Sequence, residues 1–339
     1  MSHPELHEHA SALLTRRFGR DVRLGDLYPV RSHDTVWRAE VESGGSALPQ
    51  SVIVKRVTDT TFDQPGHTGP PQRFLNEWAS LSFLTSLGLD GRVCPRLLAG
   101  DEDRGLLIEA DLGDLPDLQF LLLANEPGRA REGMVGLGEG LGRLQAETRG
   151  RQPGFGKVQR TLGTGSPRCD CTVDQRPRRD LFAECLARLG LTPETGFWTD
   201  LMSVESEIHD DSPFWSMIHG DAGPQNLLIG VERGILIDFE FGVYRNGLCD
   251  VVGARLGFPQ TSSAMGVPED DAERLETAYR RAVAPGIPEA EVDDIFFRGL
   301  SAAAAHWALN RWAASWRHHL RPALDSGQDD LDVAALGSA

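Results

Sequence analysis

The chain has 339 residues, 40% of them apolar and 25% charged, which excludes disorder, collagen and coiled coil and is long enough for two lobes. Its 50 acidic residues against 34 basic ones give a formal charge of −16, which repels a phosphate backbone, excludes general nucleic-acid binding and welcomes a cationic ligand. No apolar run approaches the roughly 20 residues of a membrane span, and the first residues lack the build of a signal peptide, so a cytoplasmic protein with no membrane partner is expected.

In chain order, residues Pro4 to Phe18 predict an amphipathic helix, with Leu6, Ala10, Leu13, Leu14 and Phe18 at helical spacing. His3, His7 and His9 on it read as solvated side chains rather than a metal site. The alternating segments 35–41 and 51–57 predict adjacent antiparallel strands. The second holds Lys55. Only two lysines, Lys55 and Lys157, occur beside 32 arginines, so a lysine kept in an apolar strand points to chemistry that wants a compact ammonium ion. A Pro/Gly-rich loop, 64–72, leads into a predicted helix from Arg73 to about Leu87, and 105–109 predicts another strand.

From about Asp114 onward the pattern is helical, broken only around Met217 to Phe241. The expected class is therefore α+β, with a small sheet-rich lobe over 1–110 and a larger, mainly helical lobe over 111–339. Five cysteines without C-x-x-C spacing indicate neither a disulfide framework nor a zinc site, and Cys169 and Cys171 read as loop thiols. Residues 157–179 form a turn-rich basic stretch with a local charge of +4, an island in an acidic chain. Ala302, Ala305, Leu309, Trp312 and Trp316 recur at helical spacing and read as core packing, with Trp307, Asn310 and Arg311 off the stripe as candidate substrate contacts. Asp210 and Asp211 read as a solvated acidic pair.

The stretch 216–229 followed by 234–240 carries the chemistry. Two apolar strands around a short turn place Asn226 just before the first strand and Asp238 just after the second, so both reach the same end of a hairpin. Asp221 stands five residues before Asn226 in a Gly/Pro-bearing loop. Two carboxylates and an amide in this arrangement suit phosphoryl transfer: Asp238 and Asn226 as ligands of Mg²⁺ on phosphate oxygens, Asp221 as acceptor of a proton or orienter of the attacking hydroxyl.

His219-Gly220-Asp221 with Asn226, then Ile237-Asp238-Phe239-Glu240, resembles the catalytic and metal-binding motifs of the aminoglycoside phosphotransferase and choline kinase-like family, relatives of the protein kinases. The resemblance spans about Leu24 to Arg317 and implies a two-lobed kinase-like fold and ATP- and Mg²⁺-dependent transfer to a hydroxyl, with GTP as the alternative donor. It implies that Lys55 contacts the α- and β-phosphates and that Glu77 is its helix partner. Backbone groups near Glu109 to Asp111 would meet the adenine edge. Ser32 and Thr35, in a segment without the family's usual glycine, would donate to phosphate beside an unfavourable Asp34. Asp250 matches a position that braces the catalytic loop, and Gln145 stands where a histidine is usual. The implied acceptor is an aminoglycoside or other hydroxylated natural product. A metabolic alcohol of choline, homoserine or sugar type, a peptide, or a pseudokinase scaffold that only binds nucleotide are the alternatives.

Overall fold

The computed structural model of the chain describes residues 3–30, 35–57, 70–124, 126–164, 176–209, 211–230, 234–258, 266–316 and 320–326. Ser32, Asp34, Arg168, Cys169, Cys171 and Asp210 lie outside the described residues, as do the side chains of Arg176, Arg178 and Arg311. In order, the elements are α1 (His3–Phe18), β1 (Arg23–Leu24), β2 (Tyr28–Pro29), β3 (Val36–Ser43), β4 (Ser51–Arg56), α2 (Pro70–Ser86), β5 (Leu97–Asp101), β6 (Leu106–Ala110), α3 (Leu118–Leu123), α4 (Pro127–Thr148), α5 (Gln152–Thr161), α6 (Arg176–Arg188) and α7 (Phe197–Ser206). Then follow β7 (Trp215–Ile218), β8 (Leu227–Ile229), β9 (Gly234–Leu236), β10 (Val243–Asn246), α8 (Leu248–Val251), α9 (Glu269–Val283), α10 (Asp293–Ser315) and α11 (Arg321–Ser326). The class is α+β. The chain divides into two compact units, one of Met1–Glu126, Pro153–Pro167 and Gln225–Gly242, the other of Pro127–Gln152, Arg168–Pro224 and Val243–Ala339.

The first unit is built on an antiparallel sheet of order β1-β3-β4-β6-β5, with β2 paired to β3. The β-branched run Val52-Ile53-Val54 favours a strand, and its period of two sends Val52 and Val54 to one face and Ile53 and Lys55 to the other. On the first face Val52 and Val54 join Leu98, Leu106 and Ile108 in one core with Leu6, Ala10, Leu13 and Leu14 of α1. Each buried leucine of α1 contributes about 1.5–3 kcal/mol, enough together to fix the helix on the sheet. The hairpin β8–β9, with Leu227 opposite Leu236, belongs to this unit. It is tied to α2 where Asn76 Nδ2 donates to the carbonyls of Glu240 and Gly242, both at 2.9 Å.

The second unit centres on α4 packed along α9. Gly138 and Gly142 allow the close approach: a Cβ at Gly138 would collide with the Leu275 carbonyl, and one at Gly142 would stand 2.8 Å from the Tyr279 carbonyl. Strands β7 and β10 pair antiparallel beside α4. Among the described residues no helix is long and apolar enough to cross a membrane.

Two local expectations change. The stretch 157–179 is not simply turns: Lys157 and Arg160 lie on α5, and residues 176–179 begin α6. Phe155 and Gln159, four apart, give α5 a buried face, and the Phe155 ring packs on Phe83 at 5.5 Å. On α10, Ala303 and His306 take buried positions that the Trp/Ala stripe leaves out. Strand β5 shows no strict alternation of burial, and it packs at the sheet edge against α1 and α2.

Candidate active site

In the first unit the predicted residues gather around Lys55. Its Nζ lies 2.5 Å from Glu77 Oε1 on α2, 2.7 Å from Glu109 Oε1 on β6 and 3.9 Å from Asp238 Oδ1. Lys55 and Glu77 form an ion pair between β4 and α2. Asp238, two residues after the end of β9, holds a left-handed backbone with φ of 68°, a conformation that costs a non-glycine residue energy and marks sites where the fold dictates side-chain direction. Asn226 is buried directly before β8, and its carbonyl accepts from Ile237 N–H at 2.9 Å, so the hairpin brings Asn226 and Asp238 to one end.

Glu109 was expected to lend its backbone to a nucleotide, but its side chain is the surprise. It is 3% exposed, and among the described residues its Oε2 has no hydrogen-bond partner. Asp111 is committed elsewhere: its carboxylate accepts from Ser51 Oγ at 2.7 Å and pairs with Arg38 Nε at 2.8 Å. The N–H groups of Ala110 and Asp111 donate to the carbonyls of Arg96 and Ser51, at 2.9 and 3.2 Å. Thr35 is exposed at the start of β3.

Three carboxylates around one ammonium leave a surplus of negative charge that calls for a proton or a cation. Burial, with Asp238 and Glu109 adding repulsion, pushes the Glu77 carboxyl up to about 8 against the pull of Lys55. Lys55 moves the other way from a simple buried amine: Glu109 first, then Glu77 and Asp238, outweigh burial and hold it charged well above its ordinary range. Because native Glu77 keeps a proton that the unfolded carboxyl releases, its burial costs stability as pH rises from about 4.5 to about 8, and costs little below that window. Thermal melts of wild type are therefore expected to fall across that range relative to Glu77→Gln, whose curve should be flatter; parallel curves would remove the assignment.

The oxygen-only donor set of Asp238 and Asn226 fits a hard divalent cation such as Mg²⁺, and the surplus negative charge beside it fits the same ion.

In the second unit His219, Gly220 and Asp221 follow β7. His219 is fully buried, and its Nδ1 accepts from Asp221 N–H at 3.3 Å. Gly220, at φ of 81°, makes the turn that a side chain would strain. Asp250 on α8 accepts from the N–H groups of His219 at 2.7 Å and Gly220 at 3.1 Å, so it braces this loop. Burial pushes its carboxyl above the ordinary range against the pull of His219 and these two donors. Asp250→Ala would strand both buried N–H groups, each at about 1–3 kcal/mol. A lower urea midpoint is expected; an unchanged midpoint would show that the loop holds itself.

Gln145 is buried, donates to the Gly247 carbonyl at 3.0 Å and accepts from Tyr279 OH at 2.6 Å. Trp307 donates its indole N–H to the Cys249 carbonyl at 2.8 Å, and Asn310 lies 2.7 Å from His306 Nε2, so both have partners inside the unit. His306 also meets Arg245 at 2.9 Å, a contact that sequence pattern did not mark because it joins α10 to β10. Arg179 pairs with Glu205 at 3.6 Å.

A family model described as phosphotransferase enzyme family matches residues 31–291. No curated protein matches the sequence. Among solved structures, the amicoumacin kinase hAmiN in complex with AMP-PNP, Ca²⁺ and Ami is 12% identical, with 86% of this chain and 79% of that chain covered at a TM-score of 0.50, a likeness of fold. A choline/ethanolamine kinase family protein from Mesorhizobium loti is 15% identical, covering 98% of this chain and 92% of that chain, with a TM-score of 0.48. The choline kinase LicA from Streptococcus pneumoniae is 13% identical, covering 91% and 99%, with a TM-score of 0.43.

Proposed function

The chain belongs to the phosphotransferase enzyme family, and from that premise we propose an ATP- and Mg²⁺-dependent O-phosphotransferase that acts in the cytoplasm on a hydroxyl of a small molecule. The observation that supports it most directly is the Lys55 ammonium held between two buried carboxylates with Asp238 at 3.9 Å. A bound magnesium–nucleotide complex supplies the transferable γ-phosphoryl group with part of its charge neutralised. Asp238 and Asn226 would hold the metal, Lys55 would bind phosphate, and Ser32 and Thr35 would donate to phosphate oxygens. The backbone near Glu109 to Asp111 would line the base. Asp221 would hold the acceptor hydroxyl and take its proton as the phosphoryl group moves. In this reading 1–110 is a nucleotide-binding lobe and 111–339 supplies catalysis and the acceptor site.

The acceptor class is a hydroxylated, cationic natural product such as an aminoglycoside, in keeping with a formal charge of −16. The test is Mg²⁺-dependent ATP turnover across a panel of aminoglycosides, choline, homoserine, sugars and a hydroxyl-bearing peptide, with GTP as a second donor and mass spectrometry of the product. Phosphorylation of a small-molecule hydroxyl supports the proposal. Turnover with the peptide alone, or nucleotide binding without transfer to any acceptor, overturns it.

A further inference from the structure

Away from the Lys55 cluster, the first unit holds a cleft of about 480 Å³ between the end of α1, one face of α2 and strand β5. That size falls within the roughly 300–1,000 Å³ of small-molecule sites. Trp78 and Ser82, four residues apart, share the face of α2 that lines it, about 100° or more around the helix from Glu77. None of the residues around Lys55 lines the cleft.

The fold holds its walls in place. Leu98 of β5 is 3% exposed and belongs to the core that α1 covers. A Cβ at Gly100 would stand 2.5 Å from the Trp78 indole, so the missing side chain on β5 seats that ring, and Phe74 packs edge-on against it at 5.9 Å. Arg16 and Arg17, in the last turn of α1, supply the charge. Among the described residues no acidic side chain lines the cleft, in a chain whose formal charge is −16. Arg16 reaches Asp101 at 3.7 Å, but Asp101 pairs more closely with Arg104 at 3.2 Å, and the Arg16 side chain is 68% exposed. Its donors are therefore open to a second anion.

We propose that this cleft binds a small organic anion with a flat aromatic body, at a site separate from the nucleotide. The anionic group, a carboxylate, sulfonate or phosphate, meets the guanidinium groups of Arg16 and Arg17, whose planar forks suit an acceptor with two oxygens. The ring lies against the Trp78 indole and Leu98, with Ser82 as a polar contact. Both parts of the ligand are needed. Exposed arginines hold a bare inorganic anion weakly, and an uncharged ring gains only the apolar share of the lining. Cations in the last turn of a helix also complement its dipole, but that role would need neither Trp78 nor a cleft.

The experiment titrates naphthalene-2-sulfonate into the full chain without nucleotide, with calorimetry for affinity and ¹⁹F NMR of the 5-fluorotryptophan-labelled protein for location. The Trp78 resonance, one of seven tryptophan signals, is assigned by its absence from Trp78→Phe. A saturable shift of that resonance is expected, with a Kd of about 1 mM or tighter. Two changes should each weaken binding about tenfold or more, the scale of losing a charge-assisted hydrogen bond: replacing the probe by 2-naphthalenemethanol, which has the same ring and no charge, and the double substitution Arg16→Gln with Arg17→Gln. An unmoved Trp78 resonance, equal binding of the alcohol, or wild-type affinity in the double variant overturns the proposal. So does stoichiometric displacement of the sulfonate by MgATP, which would put the probe in the nucleotide site. Should the double variant fail to fold, the comparison of sulfonate with alcohol on the wild-type protein decides. No arm of the test needs phosphoryl transfer, so its failure leaves the proposed function standing, and failure of that function leaves this site untouched.

Discussion

Asp221→Asn is expected to lower turnover by about 10²- to 10⁴-fold, the range for losing a positioned general base, while MgATP binding stays close to wild type. The substitution is nearly isosteric, and the loop that carries Asp221 is held by groups the change does not touch. Asp221 N–H goes to His219 Nδ1, its carbonyl accepts from Gly223 N–H at 2.7 Å, and Asp250 holds the two residues before it. An amide in place of the carboxylate cannot take the proton of an attacking hydroxyl. The residues proposed to hold nucleotide and metal, Lys55, Asn226 and Asp238, belong to the other compact unit. A phosphate-coupled assay and calorimetric ATP titration separate the two effects. Near-normal transfer in the variant would falsify the catalytic role of Asp221.

Lys55→Arg is the second large effect expected, although the chain uses arginine at nearly every other basic position. Lys55 Nζ is a point between Glu77 Oε1 and Glu109 Oε1, 2.5 and 2.7 Å away, and it is mostly enclosed. A planar guanidinium spreads its charge over a wider fork and needs room along two directions that α2 and β6 already fill. Losing one charge-assisted hydrogen bond to phosphate amounts to about 1.5–3 kcal/mol, or about 10- to 150-fold in kcat/KM. Unchanged ATP affinity and turnover in Lys55→Arg would mean that a cation of any shape suffices there, and the case for a compact ammonium would be lost.

The same residues show where sequence is informative. Asn226 and Asp238 are legible because they bracket a local unit: a two-strand hairpin whose ends meet by construction, a feature carried by about a dozen consecutive residues. Asp221 and the His219-Gly220 turn are legible for the same reason, since spacing within one loop fixes them. The face of α1 is legible because Leu6, Ala10, Leu13 and Leu14 repeat at the period of the helix, and all four are buried in the core of the first unit. Helices α5 and α6 at the two described ends of the basic stretch show the limit of local signals. Glycine and proline mark a turn by themselves, but the Phe155–Phe83 contact rewards a helix there.

By itself the sequence determined the α+β class, the family, the hairpin that carries Asn226 and Asp238, and the isolation of Lys55 in an apolar strand. Tertiary structure alone decided that Glu109 turns its side chain onto that lysine, that Asp111 is spent on Arg38 and Ser51, and that His306 meets Arg245. Each of these contacts joins residues more than 50 positions apart, so it depends on strand register or helix docking. Register is set by cooperative burial of both faces of a sheet, and a slip of one residue would turn Glu109 to the side of α1, where its charge would have no partner. Local pattern contains the period of a strand but not its phase against a distant neighbour.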